Sequence, residues 1–190
     1  MMHGLEVTNP FDGTPVGEVK LLSASEVDKA LAIAEKTHKA HKKGLPKHER
    51  IAVLKKTAEI MKGRADELAL LIASEGGKPL IDAKVEVERA IDGVETCAAE
   101  IANNAGVEIP MDLTSAGEGK IAFTTKEPIG IVVAVSAFNH PLNLIVHQVA
   151  PAVAAGNPVI VKPADDTPLC CEAFIKILHQ AGLSPEWAQF

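Results

Sequence analysis

Two short polar clusters end long apolar runs in the last third of the sequence. Ala137-Phe138-Asn139-His140 follows the run Gly130 to Ser136, and Lys162-Pro163-Ala164-Asp165 follows Val159-Ile160-Val161. Asn139 offers an uncharged amide N–H donor, a group suited to an oxyanion developing on a carbonyl oxygen. Lys162 offers a cation and Asp165 a carboxylate, a pair suited to phosphates and ribose hydroxyls. On spacing alone a plainer reading also stands, in which Asn139 only turns the chain and Lys162 only reaches solvent.

Other reactive side chains read as structure. A helix amino terminus lowers a thiol pKa, which makes Cys170 and Cys171 candidate nucleophiles, but cysteines at such positions are mostly small buried hydrophobes. Cys97 falls in a helical apolar stripe and reads as core. His140 and His147 have no carboxylate in the pattern to orient them, and no Cys–His metal spacing occurs, so packing is the reading and no metal site is expected. The run from Lys36 to Lys43 reads as a solvated helix face rather than an anion site.

The elements that position the two clusters follow from periodicity. Asn9-Pro10-Phe11-Asp12-Gly13 is turn chemistry, and Val16, Val19 and Leu21 predict a short strand. Ser23 and Glu26 have capping-box spacing before the stripe Val27, Ala30, Leu31, Ala34, which predicts a helix over about 24–42. Pro46 suits the first turn of a second helix with Ile51, Leu54, Ala58 and Met61 on one face. A third continues through Leu68, Leu71 and Ile72 until Gly76-Gly77, and a fourth spans Pro79 to Asn104 on Val87, Ile91, Val94, Ala98 and Ile101. Gly119 to Lys126 predicts an exposed strand. Gly130 to Ser136 is a continuous β-branched run, predicted to be a parallel strand buried on both faces. A helix over Leu142 to Ala155, a second strand at Val159-Ile160-Val161 and a helix opened by Thr167-Pro168 then make a βαβ unit still being extended. In open parallel sheets ligands collect at the carboxyl ends of the strands, where both polar clusters fall.

Composition narrows the classes. With 190 residues, 47% hydrophobic and 23% charged, the chain can bury a sizeable core. A net charge of −6 and only 3% aromatic residues, none of them Tyr, argue against a nucleic-acid partner, which would need a basic stripe and stacking platforms. Three cysteines make no disulfide framework and no signal sequence opens the chain, so a cytoplasmic protein is expected. After Pro128 only Lys162, Asp165, Asp166, Glu172, Lys176 and Glu186 carry charge. The charge-free window from Pro128 to Val161 is no membrane span, because Asn139, His140, Asn143, His147, Gln148, Asn157 and repeated prolines interrupt it. It reads as buried core.

The wording of these segments is more specific than their spacing. Phe138-Asn139-His140-Pro141-Leu142, Val149-Ala150-Pro151-Ala152-Val153-Ala154-Ala155-Gly156-Asn157 and Val161-Lys162-Pro163-Ala164-Asp165-Asp166-Thr167-Pro168-Leu169 resemble the cofactor-domain core of the NAD(P)-dependent aldehyde dehydrogenase superfamily. Upstream, Asn9-Pro10 with Gly17-Glu18-Val19, Ser25 to Ala30, and Glu75 with Gly77-Lys78-Pro79-Leu80 resemble its amino-terminal segments in order. The resemblance covers essentially the whole chain.

The resemblance implies an α/β fold, with helical amino-terminal segments packed on a partial Rossmann-like parallel sheet. It divides the chain into a helical part of the cofactor-binding domain (1–116), a strand of the oligomerisation ribbon (117–127) and the start of the cofactor-binding sheet (128–190), with the catalytic domain absent. Asn139 matches the asparagine that stabilises the thiohemiacetal oxyanion. Lys162 matches the lysine at the adenosine ribose or 2′-phosphate, and Asp165 stands where many NAD-preferring members have Glu, so NAD and NADP both remain open. Ser136, Ala137 and Phe138 are the other implied cofactor contacts, with Ala137-Phe138 standing where the family usually has Pro-Trp. The family's nucleophilic Cys and general-base Glu are expected beyond Phe190, so the chain alone is expected to be inactive. The implied reaction oxidises an aldehyde to a carboxylic acid in a homo-oligomer, and Phe138 to Asn143 look similar to members acting on small anionic aldehydes such as phosphonoacetaldehyde, sulfoacetaldehyde or lactaldehyde. The alternative is a non-catalytic truncated homologue that binds a nucleotide or other subunits.

Overall fold

The computed structural model describes residues 4–190. An antiparallel hairpin comes first: β1 (Gly4–Thr8) pairs with β2 (Pro15–Lys20). Its turn is held by the Asn9 and Asp12 side chains, which accept the backbone N–H groups of Phe11 and Thr14 at 2.9 and 3.0 Å. Val7 and Val19 bury against Leu169, which fastens the hairpin to the α/β part of the molecule.

Four helices follow, α1 (Ala24–Ala40), α2 (Lys47–Gly63), α3 (Ala65–Gly76) and α4 (Leu80–Asn103). At the start of α1 the Glu26 carboxylate accepts the Ser23 N–H at 2.9 Å, and Lys20 with Ser23 holds its pKa down to about 2. The apolar faces of α2, α3 and α4 bury Leu54, Ala58, Met61, Leu68, Ile72, Val87, Val94 and Ile101 in one core. Gly77, in the left-handed region at φ 64°, ends α3. Pro79 opens α4 two residues later, which leaves Lys78 in a tight corner.

The remainder builds a parallel sheet in the order β5 (Val132–Val135), β6 (Val159–Lys162), β7 (Ala188–Gln189). Helices α5 (Pro141–Ala155) and α6 (Pro168–Gln180) form the crossovers. Val135 lies opposite Lys162 in the ladder, so both polar clusters emerge from the same end of the sheet. The α5 helix packs on α4, and Leu142, Ile145, Val146, Val149 and Val153 join the core. The charge-free window is therefore β5, α5 and most of β6, with α5 packed on the charged helix α4, and among the described residues no helix is long and apolar enough to cross a membrane.

Several expectations are corrected. The strand β1 and the two-residue strands β3 (Glu108–Ile109) and β7 are additional, too short or too polar to announce themselves. The long strand expected over 119–126 shrinks to β4 (Ala122–Phe123), antiparallel to β3. The β5 strand is not buried on both faces: Ala134 is 1% exposed, but Val133 and Val135 are 57% and 62% exposed. The α1 stripe is likewise open, since Val27 and Leu31 face the same uncovered side of the sheet instead of a closed core.

Candidate active site

Asn139 sits in the bend between β5 and α5, directly before the helix N-cap His140. It is exposed, and its side-chain amide makes no hydrogen bond among the described residues. Hydrogen bonds anchor the bend on both sides. Ser136 N–H donates to the Lys162 carbonyl at 3.0 Å, continuing the ladder one step past the strand. On the helix side Pro141 has no N–H, and the next two donors, Leu142 and Asn143, both reach one oxygen of Glu86 at 3.0 and 3.1 Å. Asn139 and Lys78 line one cleft of about 770 Å³, together with Phe138, Pro141, Asp165 and residues of β1.

Glu86 is 1% exposed and carries Lys78 as its counter-charge. Lys78 Nζ also lies 2.9 Å from His140 Nδ1. An ammonium has only N–H to offer, so Nδ1 accepts here and the ring proton lies on Nε2. This corrects the view that no carboxylate attends His140, since Glu86 stands 3.4 Å from its ring. Sequence spacing hides the contact because the two are far apart in the chain.

Lys162 and Asp165 pair with each other at 2.6 Å, both largely exposed. They lie on the rim of a second groove of about 750 Å³, whose walls include Val133, Val135 and Ile160 from the sheet and Val27, Ala30 and Leu31 from α1. Asp165 borders both hollows, whereas Asn139 borders only the first and Lys162 only the second. Ser136 is buried and Ala137 and Phe138 are exposed at the strand end, so of the three only Phe138 lines a described hollow.

The thiols are not nucleophiles. Cys170 and Cys171 are fully buried; burial above all pushes both upward, Cys170 well above the ordinary thiol range and Cys171 to about 12. The helix amino terminus cannot offset this, because its N–H groups are already engaged. Glu75, 3% exposed, accepts Leu169 N–H at 2.8 Å and Cys170 N–H at 2.9 Å. Burial raises the Glu75 pKa despite these bonds. Among the described residues no cluster of His, Cys, Asp and Glu is arranged to hold a metal.

Glu75 and Glu86 are the residues sequence reasoning missed. The signal was present: Leu68, Ile72, Glu75 and Ala83, Glu86, Ala90 continue helical apolar stripes, and a carboxylate in such a stripe must find buried donors.

The architecture is that of an open parallel α/β sheet with a ligand crevice at the carboxyl ends of its strands. The sequence matches the model of the aldehyde dehydrogenase family over residues 2–190, and the chain belongs to that family. It is 36% identical over 179 residues to the 3-sulfolactaldehyde dehydrogenase of Priestia megaterium, a match covering 94% of this chain and 37% of that protein. It is 38% identical over 179 residues to aspartate-semialdehyde dehydrogenase 1 of Pseudomonas canavaninivorans, covering 94% and 38%. The glyceraldehyde-3-phosphate dehydrogenase of Methanocaldococcus jannaschii complexed with NADP superposes with a TM-score of 0.91 at 33% identity, over 100% of this chain and 41% of that one. The chain thus spans about 37% of the length of the first of these relatives.

Proposed function

We propose that this chain supplies the cofactor-binding part of an NAD(P)-dependent aldehyde dehydrogenase that oxidises an aldehyde to a carboxylic acid. The observation carrying the proposal is the Asn139 amide, exposed and unengaged on a bend fixed by the strand ladder and by Glu86. A donor without an internal partner, carried on a backbone anchored on either side, is available to stabilise charge that develops on a substrate oxygen. In this reading the oxygen is that of a thiohemiacetal formed on a cysteine outside this chain.

The second groove fits the adenosine half of a nicotinamide cofactor, which when bound would accept a hydride from the substrate. Apolar walls suit a flat base, and Lys162 and Asp165 stand at the rim where ribose oxygens or a 2′-phosphate would lie. Asp165 neutralises Lys162 at 2.6 Å, so Lys162 is only partly available to a phosphate. Ser136, Ala137 and Phe138 would line the approach from the strand end.

Names of the relatives, among them 3-sulfolactaldehyde, sulfoacetaldehyde and lactaldehyde dehydrogenases, support a short aldehyde carrying an anionic or hydroxyl group as substrate. The β3–β4 ribbon presents Ile121 and Phe123 to solvent, which supports pairing with a second subunit in a homo-oligomer. Free cysteines throughout are consistent with a cytoplasmic protein.

The test is titration of the longer enzyme with NAD and NADP at one fixed ionic strength. Lys162→Ala should weaken both and NADP more. Asp165→Ser should free Lys162, remove repulsion of the phosphate and shift preference toward NADP by about 1–3 kcal/mol. Equal changes for both cofactors in both variants would remove these residues from the ribose.

A further inference from the structure

We infer that Glu86 is the positioning residue of the Asn139 bend, acting with Lys78 and His140. The inference rests on the oxyanion role proposed above for Asn139. The α5 helix contains no Asp, Glu, Lys or Arg. Its N-cap His140 makes no side-chain cap bond, and Pro141 brings no N–H, so its first free donors are Leu142 and Asn143. Both go to one oxygen of Glu86, at 3.0 and 3.1 Å. The other oxygen takes the Lys78 ammonium, which also reaches His140 Nδ1 at 2.9 Å.

One buried carboxylate thereby holds, directly or through Lys78, three of the four residues that follow Asn139. At the opposite end of α5 the Arg50 guanidinium donates to the Ala154 carbonyl. A helix without charge of its own is therefore held by a buried anion from α4 at its amino end and a cation from α2 at its carboxyl end, each where the peptide dipoles favour it. Because the Asn139 amide has no partner of its own among the described residues, its direction is inherited from the backbone on either side. Loss of the Glu86 charge weakens the one acceptor that both N–H groups share and leaves Lys78 without its counter-ion, and the entry to α5 is free to shift. A misplacement of about 1 Å at a reacting centre costs about 10²-fold in rate.

Glu75 is the built-in comparison. It caps α6 through the same two helical positions, Leu169 and Cys170, but that helix does not follow Asn139 and reaches the bend only through long contacts, Thr167 Oγ to the Phe138 carbonyl at 3.5 Å and Cys171 Sγ to the Pro141 carbonyl at 3.7 Å. The experiment is heteronuclear NMR of the isotopically labelled 190-residue chain as wild type, Glu86→Gln, Lys78→Met and Glu75→Gln, read at the Asn139 side-chain amide. The expected result is that Glu86→Gln and Lys78→Met shift or split that resonance pair while Glu75→Gln leaves it in place. An unmoved Asn139 amide in folded Glu86→Gln, or equal movement in Glu75→Gln, overturns the inference. If Glu86→Gln does not fold, Lys78→Met decides it by the same criterion.

The kinetic arm uses the longer enzyme. Glu86→Gln should lower kcat about 10–100-fold with little change in cofactor KM, and Glu86→Gln/Asn139→Ala should be no slower than Asn139→Ala alone. Losses that multiply in the double variant overturn the positioning role. Wild-type kcat in Asn139→Ala, with the NMR pattern intact, instead overturns the oxyanion reading and leaves the positioning of the bend standing.

Discussion

Replacing Glu75 by Ala should destabilise the fold by about 2–4 kcal/mol. The carboxylate accepts two backbone donors, Leu169 N–H at 2.8 Å and Cys170 N–H at 2.9 Å, at the second and third positions of α6. Among the described residues no other side chain accepts them. Pro168 has no N–H, and the Thr167 hydroxyl is directed to the Phe138 carbonyl at 3.5 Å rather than to the helix. Each buried donor left unpaired costs about 1–3 kcal/mol, and relief of the carboxylate's own desolvation offsets part of the sum. Glu75→Gln keeps one acceptor and drops the charge, so it should lose less, on the order of 1 kcal/mol. Urea unfolding followed by the fluorescence of the single, buried Trp187 measures both. The pH dependence carries a sign. Burial raises the Glu75 pKa above its ordinary 4.5, so protonation favours the native state. Its contribution is full below pH 4.5 and lost as pH rises through the folded-state pKa. The advantage of wild type over Glu75→Gln should therefore shrink from pH 4.5 upward. A Glu75→Ala variant within 0.5 kcal/mol of wild type, by an order-of-magnitude criterion for surface-like changes, with unchanged denaturant slope, would refute the capping role.

The thiols of Cys170 and Cys171 should be silent in the native protein: with Cys171 pushed up to about 12 and Cys170 well above the ordinary range, Ellman's reagent at pH 8 should label these two only after denaturation. Rapid native labelling of either would contradict their burial. Gly156→Ala should destabilise by about 1–3 kcal/mol, because its φ of 85° is left-handed and a Cβ would stand 3.1 Å from Gly44 Cα and 3.3 Å from Pro128 Cγ. Urea unfolding reads that loss, and an unchanged midpoint would contradict the close approach of the two glycines.

The helices were legible because their causes are local. Stripes such as Val87, Ile91, Val94 and Ala98, with Gly77 and Pro79 as stop and start, determine α3 and α4 almost to the residue. The exposed face of β5 was not legible. A run of β-branched residues has the same appearance whether one face or both are covered, and only the tertiary arrangement leaves Val133 and Val135 open. At the site, Asn139 and the pair Lys162 and Asp165 are legible as polar residues that end apolar strands, although spacing alone does not separate a functional from a structural role. That Asn139 and Lys162 border separate hollows, with Asp165 between them on both, depends on which side of the sheet each leaves, a property of strand twist and loop path. Glu75 and Glu86 sat in plain view inside apolar stripes, but their partners lie across the fold in α6 and α5.

The role proposed for Asn139 is to donate to the oxyanion in an aldehyde dehydrogenase. It is tested most directly by steady-state NAD(P)H formation in the longer enzyme carrying Asn139→Ala, with cofactor affinity measured alongside. The kcat should fall by about 10²–10³ with a much smaller change in cofactor affinity. A variant that turns over at the wild-type rate would contradict it.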